Sequence, residues 1–473
     1  MKVVVVGGGI AGLSAAHRLI ESNHPGLEVI LLEASDRLGG TIRTVEHEGC
    51  MLELGPDSFL SSKPWLTQLA ERLGVEDQII TTNHIHRRAQ VVYRGKLHQL
   101  PEGFLVMAPT RVWPMLTTSL FSFTGKIRCA LELFLPRKSG SKDESLGSFV
   151  RRRFGREILS RVVQPLIGGI YAGNPDTLSL RATMPRFLEM EEKYGSVIRG
   201  MLAQRNTTVN TKKKSTSGSG ARYGELVSFN KGMETIIQAL SASLPPDITH
   251  TKSLVVRINH ESQKWKLILG DGRYFQADAI ILALPSPKAA TLFRDIDKSL
   301  HRELSDIPHS SSAVMNLVYH RSDVPHPLDC FGFVVPSVEK RKITACTFSS
   351  VKFPNRAPQE LVLMRVFIGQ DLLQDTPQVD DKKILDEVRK ELKILLDIKV
   401  CPIHSVLTLY PDAMPQYLIN HLDRIDRIDL LLENYPNLAL AGNAYRGVGL
   451  PDCVYSGEKA ADRILANKTR LEL

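Results

Sequence analysis

The N-terminal segment KVVVVGGGIAGLSAAHRLI, residues 2–20, constrains the fold of this chain more than any other. Its β-branched run, its glycines and the Ala- and Leu-rich pattern that follows predict a strand, a tight turn and an amphipathic helix. Gly7, Gly9 and Gly12 give the spacing G-x-G-x-x-G, which permits the turn, the approach of a pyrophosphate and close packing of helix on strand, respectively. The helix N-terminus would face the phosphates with partial positive charge. The segment therefore predicts an α/β dinucleotide-binding fold.

An acidic residue follows at the distance expected for recognition of a ribose. The second predicted strand, LEVILLEAS over residues 27–35, ends in Glu33, about 20 residues after Gly12. Its carboxylate can accept hydrogen bonds from a ribose diol and would repel the 2′-phosphate of NADP. The glycine pattern alone is a weak signal, whereas strand, turn, helix and acid together indicate a dinucleotide site.

The next segment, ASDRLGGTIRT over residues 34–44, distinguishes between NAD and FAD. Arg37, Gly39–Gly40 and Thr41 resemble the extension that follows the acid in FAD proteins of the amine-oxidase and glutathione-reductase-like class. Two adjacent glycines allow a second loop to cover the same diphosphate, and the arginine supplies positive charge. A permanently bound cofactor is suited to two such contacts, so the segment favours FAD.

Two later segments return to the nucleotide-binding sheet, which makes this domain discontinuous. Residues 252–286 alternate strand patterns around the turn Gly270–Gly272 and end in the buried pattern ADAIILALP. Residues 437–465 contain a further strand, several glycines and a helix predicted to begin at about Ser456. The N-terminus of that helix would stabilise negative charge on a reduced flavin.

Composition limits the remaining possibilities. The 473 residues carry 60 Lys and Arg against 51 Asp and Glu, a net charge of +9, which favours acidic small molecules or anionic membrane surfaces. The basic runs at 151–153 and 212–214 lack interleaved aromatic residues, so we expect no nucleic-acid partner. The six cysteines show no metal-ligand spacing, and we expect no metal. The sequence shows no signal peptide pattern and no apolar run long enough to span a bilayer. We therefore expect a cytoplasmic protein, for which peripheral contact with the membrane stays open.

The chain resembles the porphyrinogen oxidases of haem biosynthesis, in the branch typical of Gram-positive bacteria. The resemblance extends from end to end and is carried by motifs such as LGPDSFL, LPEGFLVMAPT, QPLIGGIYAG, MPQY and GNAYRGVGLPDC. In that branch the substrate is usually coproporphyrinogen III, whereas relatives in mitochondria and plastids oxidise protoporphyrinogen IX. The resemblance implies an α/β fold: a Rossmann-like, discontinuous FAD-binding domain, a mixed-sheet substrate domain and a helical, membrane-binding-like domain.

The strand, helix and loop patterns along the chain predict domain boundaries. The FAD-binding domain comprises 1–85, 223–288 and 426–473, the helical domain with the cavity wall 86–205, a flexible loop 206–222 and the substrate-binding domain 289–425.

The motifs assign residues to the cofactor and to the substrate. In the resemblance, LGPDSFL runs beside the flavin ring, Tyr410 packs against it, Val255 contacts adenine through its backbone, and GGIYAG forms part of the porphyrinogen cavity wall. The assigned cofactor residues are Gly7, Gly8, Gly9, Ile10, Ala11, Gly12, Glu33, Ala34, Arg37, Gly39, Gly40, Thr41, Gly55, Pro56, Asp57, Ser58, Val255, Tyr410, Gly442, Val448, Gly449 and Leu450. The assigned substrate residues are Lys63, which could meet a propionate, and Gly169, Ile170, Tyr171 and Gly173.

A porphyrinogen loses six electrons on becoming a porphyrin, so the resemblance implies three hydride transfers to FAD, with oxygen as acceptor and hydrogen peroxide as product. Pyrrole nitrogens can stabilise the cation left by hydride loss, and the only carboxylate that suggests itself as a base is Asp57. Coproporphyrinogen carries more propionates than protoporphyrinogen, and its pocket needs more basic groups at the rim. Arg87, Arg88, Arg94 and Lys96 are candidates.

Three alternatives remain open on sequence. The first is protoporphyrinogen IX as the substrate, the second is an FAD-dependent amine oxidase, and the third is a non-catalytic carrier of tetrapyrroles on the same fold. The expected partners are the tetrapyrrole, molecular oxygen and, transiently, the next enzyme of the haem pathway.

Overall fold

A five-stranded parallel sheet positions the nucleotide-binding segments. The computed structural model describes all residues except 106, 110, 139, 141, 210–224, 375–379 and 472–473. In spatial order, the sheet strands are Thr249–His250, Glu28–Leu32, Lys2–Val6, Ala279–Leu282 and Leu438–Leu440. Because all neighbours are parallel, their carboxyl ends share one edge, where ligands bind in open α/β sheets.

Both faces of this sheet are covered, as its continuous apolar strands require. Val3 and Val5 face a layer of three helices, Ile10–Glu21, Glu234–Ser243 and Leu450–Leu471. Val4 and Val6 face the opposite layer, formed by an antiparallel sheet and three further helices. The sheet strands are Val255–Glu261, Lys264–Leu269 and Tyr274–Ala277, and the helices are Ser286–Phe293, Lys298–Ser305 and His421–Leu431.

A second large sheet lies mainly in the part of the chain predicted to bind the substrate. Its seven strands, in spatial order, are His404–Pro415, His309–His320, Leu361–Ile368, Ile343–Phe348, Gly332–Val334, Gln90–Tyr93 and Lys96–Gln99. All neighbours are antiparallel except Gly332–Val334 with Gln90–Tyr93. Helix Asp381–Leu396 packs against the sheet through an apolar stripe. The two strands within 90–99 correct our expectation of helix there. They form a hairpin with each other, and Gln90–Tyr93 also pairs with Gly332–Val334, more than 230 residues away.

Helices between residues 112 and 209 form a third layer with its own core. They are Val112–Thr117, Phe123–Ala130, Leu146–Arg153, Arg156–Ile158, Gln164–Tyr171, Leu180–Thr183, Pro185–Tyr194 and Val197–Val209, with a π-helical turn at Leu159–Val163. The last of these helices reaches residue 209, so the predicted loop does not begin at 206; its residues 210–222 lie outside the described part of the chain. Within the described residues, no helix combines the length and the apolar run required to cross a bilayer.

Shorter elements connect these layers. The remaining strands are Thr44–His47, Cys50–Glu53, Phe59–Leu60, Ile79–Thr81, Phe104–Leu105, Ala108–Pro109 and Leu226–Phe229. The remaining helices are Trp65–Arg72, Ser349–Lys352 and Gln370–Gln374, with 3₁₀ turns at Glu76–Gln78, Leu131–Phe134, Pro246–Ile248, Arg321–Asp323, Ser337–Glu339 and Leu432–Asn434.

Candidate active site

The glycine-rich loop is closely packed on one side and open on the other. Gly7 adopts φ +107°, where side chains are disfavoured. A Cβ at Gly12 would overlap the carbonyl oxygen of Gly7, so the helix lies directly against the strand end. A Cβ at Gly9, by contrast, would have no described atom within 4 Å. The loop therefore leaves space at Gly9, where the sequence places a pyrophosphate, while Gly8, Ile10 and Ala11 are buried beside it.

The second glycine pair lies against this loop. The amide of Gly39 donates to the carbonyl oxygen of Gly8 at 2.8 Å, and a Cβ at Gly40 would lie 3.3 Å from the Cα of Gly9. The Arg37 guanidinium donates to the carbonyl oxygens of Gly40 and Ile42, at 2.8 and 2.6 Å. Arg37 thus holds the shape of this loop, while Gly40 and Thr41 are exposed beside the opening.

The Glu33 carboxylate lies at the same edge of the sheet. One oxygen accepts from the amide of Gly8 at 2.6 Å, and the other accepts from the amide and hydroxyl of Ser35, each at 2.8 Å. The Ser253 amide donates to the Glu33 carbonyl oxygen at 2.8 Å, which brings the segment leading to the buried Val255 beside the acid. Ala34 is exposed there. The positions predicted to contact ribose and adenine are therefore neighbours.

The C-terminal helix begins at Leu450, six positions before the predicted start at Ser456. Gly447, Val448 and Gly449 lead into it, and the Ser456 hydroxyl accepts from the amide of Gly442 at 3.0 Å. The helix is parallel to the first helix, since Gly457 contacts Ala11 and Asp462 pairs with Arg18 at 2.9 Å. Two helix N-termini, with their partial positive charges, therefore point toward one edge of the sheet.

The LGPDSFL segment connects the second loop to the C-terminal helix. Gly55 packs so closely that a Cβ would overlap the carbonyl oxygen of Thr41, and this oxygen also accepts from the Tyr410 hydroxyl at 3.3 Å. Three residues beyond its other end, Lys63 forms an ion pair with both oxygens of Asp452, at 2.6 Å. Lys63 therefore has a carboxylate partner within the chain, which competes with the predicted propionate.

Asp57 lies in the middle of this segment and is held by two cations. Its carboxylate is 2.7 Å from the Lys352 ammonium and 3.2 Å from the Arg365 guanidinium, and it accepts from the Ser58 hydroxyl at 2.7 Å. Although burial raises the pKa of Asp57, Lys352 and Arg365 outweigh burial and hold the pKa of this carboxyl far below its usual range. So acidic a group is poorly suited to accept a proton near neutral pH, which weighs against Asp57 as a base.

The predicted cavity wall is the end of helix Gln164–Tyr171. A Cβ at Gly169 would meet no described atom within 4 Å, so this position faces open space, with Ile170 half-buried beside it. Tyr171 differs from our expectation: its ring is buried in the helical core and its hydroxyl donates to the carbonyl oxygen of Thr183 at 3.0 Å. A Cβ at Gly173 would overlap the end of the Gln416 side chain, so a larger residue there would displace that side chain. Tyr171 therefore belongs to the helical core that carries the predicted wall.

The four basic candidates for the rim lie on or just before the last two strands of the seven-stranded sheet. Arg88 is 3.8 Å from Glu102, and Arg94 lies over the Tyr93 ring at 5.2 Å. Arg88, Arg94 and Lys96 are exposed, and Arg87 is half-buried. Their contact with a substrate stays a prediction.

Sequence reasoning missed Lys352 and Arg365. Lys352 lies 295 residues after Asp57 in the sequence, and Arg365 lies farther still. No sequence motif contains either cation together with Asp57. The available signal was the single arginine in the apolar run LVLMRVFI, residues 361–368, since an ionised side chain in a buried strand requires a partner.

Comparison with known proteins identifies the family. The flavin containing amine oxidoreductase profile matches residues 10–465. Coproporphyrinogen III oxidase of Bacillus subtilis is 33% identical over 98% of this chain and 97% of its own length, and that of Staphylococcus aureus is 32% identical over 98% and 99%. The crystal structure of a protein described as a protoporphyrinogen oxidase, from Exiguobacterium sp. 255-15, superposes with a TM-score of 0.86 at 31% identity. The match covers 98% of this chain and 99% of that chain.

The chain belongs to the flavin-containing amine oxidoreductase family and, within it, to the porphyrinogen oxidases. It is thus a flavin-dependent oxidoreductase, as the sequence predicted. The site fits a flavin dinucleotide in three respects: the open position at Gly9, the paired loops at 7–12 and 39–41, and the two helix N-termini at one sheet edge.

Proposed function

We propose that the protein oxidises coproporphyrinogen III to coproporphyrin III with FAD as cofactor, oxygen as acceptor and hydrogen peroxide as by-product. The observation that carries this proposal is the full-length similarity to two enzymes named coproporphyrinogen III oxidase, at 33% and 32% identity. Proteins named protoporphyrinogen oxidase are also related, but at 30% identity for the bovine protein and 27% for an Arabidopsis one.

The proposal assigns each part of the site a role in holding FAD. Loops 7–12 and 39–41 would flank the diphosphate, Glu33 would bind the ribose, and the backbone at Val255 would face adenine. The N-terminus at Leu450 would favour negative charge on the ring. When bound, the flavin supplies the two-electron acceptor for hydride that leaves a bridging carbon of the substrate.

The chain's own residues mainly bind and orient the substrate. Gly169 leaves room for a folded tetrapyrrole beside the apolar Ile170, and Tyr171 keeps the helix end in place through its bond to Thr183. Asp57 remains ionised between its two cations, so its role is structural and electrostatic. Release of the proton that accompanies each hydride transfer is then left to the pyrrole system and solvent.

The test is aerobic porphyrin fluorescence with purified protein given coproporphyrinogen III and protoporphyrinogen IX at equal concentrations. We expect faster turnover of coproporphyrinogen III. A preference for protoporphyrinogen IX would retain the enzyme class and replace the substrate, whereas no fluorescence from flavin-loaded protein would overturn the porphyrinogen assignment.

The cofactor and the electron acceptor need separate measurements. Heat-released flavin should coelute with FAD rather than FMN on chromatography. Peroxide should form at about three molecules per porphyrin, because each two-electron step reduces one oxygen, and anaerobic samples should stop after the bound flavin is reduced. Porphyrin formation without peroxide would identify a different acceptor.

We also propose a cytoplasmic enzyme with peripheral membrane contact through its helical layer. Trp113, Phe123 and Phe134 are large apolar side chains that are 74, 77 and 78% exposed, and they lie on three successive helical segments. Such exposed apolar side chains on a basic protein suit an anionic bilayer surface. Sedimentation with anionic vesicles should fall in a Trp113→Ser/Phe123→Ser variant; unchanged sedimentation would contradict the contact. Contact with the next haem-pathway enzyme stays a prediction.

A further inference from the structure

The MPQY motif, residues 414–417, joins two parts of the site that lie far apart in the sequence. Its polar residues Gln416 and Tyr417 are buried, with exposed fractions of 9% and 1%. Buried polar groups require hydrogen-bond partners inside the protein. Gln416 finds its partner at the end of the predicted cavity wall, and Tyr417 finds partners in the segment 443–447, which leads toward the C-terminal helix.

Gln416 holds the end of the wall. Its side-chain amide donates to the carbonyl oxygen of Tyr171, the last residue of helix Gln164–Tyr171, at 2.8 Å, and to the Ser310 hydroxyl at 2.9 Å. The oxygen of the same amide lies against Gly173, where a Cβ would overlap it. The motif therefore contacts the chain on both sides of the turn that ends the wall helix.

Tyr417 holds the segment 443–447 through its hydroxyl. This hydroxyl donates to the carbonyl oxygen of Asn443 at 2.6 Å and accepts from the amide of Gly447 at 2.8 Å, so it bridges the two ends of the segment. Gly447 in turn lies against the first turn of the C-terminal helix, since a Cβ there would overlap the Asp452 side chain. Tyr417 therefore sets the path by which the chain enters that helix.

His421 completes the contact with the same segment. Its ring stacks on Tyr417 with a centroid distance of 4.0 Å, and its Nε2 lies 2.9 Å from the carbonyl oxygen of Tyr445. Because a carbonyl oxygen only accepts, Nε2 carries the hydrogen and donates it. Two stacked and buried rings thus bind the segment at positions 443, 445 and 447.

We propose that Tyr417 and His421 are positioning residues for the flavin end of the site and that Gln416 is a positioning residue for its substrate end. The inference rests on the proposed function, which places the flavin ring beside the start of the C-terminal helix and the porphyrinogen against the end of the wall. Ile170 of the wall and Val448, just before the C-terminal helix, pack against the same apolar core. Since a misplacement of about 1 Å can cost about 100-fold in rate, a motif that holds both ends fixes the approach needed for hydride transfer.

The test measures the flavin end and the substrate end separately in the flavin-loaded enzyme. Tyr417→Phe keeps the stacked ring and leaves the amide of Gly447 without its partner. We expect the dissociation constant of FAD to rise about tenfold, and the rate constant of flavin reduction at saturating coproporphyrinogen III to fall about tenfold, with KM changed by less than about twofold.

Gln416→Met keeps the approximate size of the side chain and removes the bond to Tyr171. We expect KM for coproporphyrinogen III to rise about tenfold, with the dissociation constant of FAD changed by less than about twofold. Fluorescence titration with FAD and anaerobic stopped-flow absorbance of the oxidised flavin measure these quantities.

The controls separate positioning from loss of structure. His421→Leu should weaken FAD binding as Tyr417→Phe does, and His421→Gln, which keeps a donor, should restore most of it; this pair decides the flavin end if Tyr417→Phe does not fold. Tyr435→Phe is the matched control, because its hydroxyl pairs with Asp297 at 3.4 Å, just before the last strand of the parallel sheet begins, and both readouts should be unchanged. A merely structural role would move both readouts together in Tyr417→Phe and in Gln416→Met, and this result, or no change in either variant, would overturn the proposal.

The readouts also distinguish this inference from the proposed function. Purified protein that binds no flavin would overturn both. Flavin-loaded protein that oxidises no porphyrinogen would overturn the proposed function and the role of Gln416, while weaker FAD binding in Tyr417→Phe would still support the flavin end. Porphyrinogen oxidation in which the two variants affect the same readouts would overturn the inference alone.

Discussion

Two regions of the molecule differ in the source of their positive charge. One is the edge of the parallel sheet at loops 7–12 and 39–41, which we call the nucleotide edge, and the other is the helical layer between residues 112 and 209. At the nucleotide edge, positive potential comes from backbone amides and two helix N-termini, around glycines such as Gly9 that leave space. In the helical layer, it comes from side chains: Arg153 is fully buried, with its Nε 2.8 Å from Glu132 and a terminal nitrogen 3.4 Å from Glu191. A ligand site thus leaves its charge available, whereas the helical layer pairs its charge internally.

This difference indicates what each region requires from its sequence. Glu132 also accepts from the amides of Val197 and Ile198, at 2.9 and 3.3 Å, so one carboxylate joins three helical segments. Loss of one member leaves several groups unpaired away from water. At the nucleotide edge, loss of one glycine affects only the atoms that would touch the new methyl group. We therefore expect stability effects to dominate in the first region and ligand effects in the second.

The largest expected effect is in the helical layer. Arg153→Met should lower the free energy of unfolding by about 3–5 kcal/mol, because Glu132 would remain buried without its cation, whereas Glu191 keeps its pair with Arg152. Urea or thermal denaturation measures this loss. Arg151→Met on the same helix is the control: its pair with Asp176 is exposed and should contribute at most about 1 kcal/mol. Equal losses in the two variants would contradict the distinction between the regions.

A buried histidine next to the nucleotide edge predicts a pH effect. His421 stacks on Tyr417 at 4.0 Å, its Nε2 lies 2.9 Å from the Tyr445 carbonyl oxygen, and burial lowers its pKa to about 4. In the unfolded chain His421 binds a proton below about pH 6.5, whereas in the folded protein it binds one only below about pH 4. The free energy of unfolding therefore falls as the pH drops through this interval, by about 3 kcal/mol in total.

His421→Gln should remove that dependence, since glutamine can still donate to Tyr445 but does not titrate. The measurement is denaturation at pH 7 and at pH 4.5 for both proteins. His84→Gln, at an exposed position, is the control and should retain the full pH dependence. A slope that persists in His421→Gln would mean that other groups cause the acid sensitivity.

The same contrast explains what could be predicted from the sequence. The strand–turn–helix at 2–21 and the hairpin at 264–277 depend on neighbouring residues, and the structure has both. The start of the last helix was misplaced because Gly447, Gly449 and Pro451 suggested a loop, although proline is favoured in a first helical turn. The position of Gln90–Tyr93 in the large sheet and the contacts of Lys352 and Arg365 with Asp57 depend on partners hundreds of residues away, and no local pattern encodes such partners.

A smaller effect on stability is expected where the glycine loop is closely packed. Gly12→Ala should cost about 1–3 kcal/mol, because the methyl group would overlap the carbonyl oxygen of Gly7 and push the helix away from the strand. Flavin affinity should fall with it, since the loop moves. Gly169→Ala is the control, at a helical position facing open space, and should be neutral or slightly stabilising. Thermal denaturation of both variants checks the difference.

Gly9→Ala should have the smallest effect on stability and a clear effect on the affinity for flavin. Gly9 has φ −72° and ψ 175°, a conformation open to alanine, and a Cβ there would contact no described atom within 4 Å. Gly9→Ala should therefore change the free energy of unfolding of the flavin-free protein by less than about 0.5 kcal/mol. The methyl group would nevertheless occupy the space through which a pyrophosphate approaches the backbone, and we expect flavin affinity to fall about tenfold or more, about 1.4 kcal/mol. Fluorescence titration of flavin-free protein with FAD measures this. If Gly9→Ala bound FAD normally while Gly12→Ala did not, the phosphates would have to lie elsewhere along the sheet edge, and backbone amides would lose their proposed part in binding.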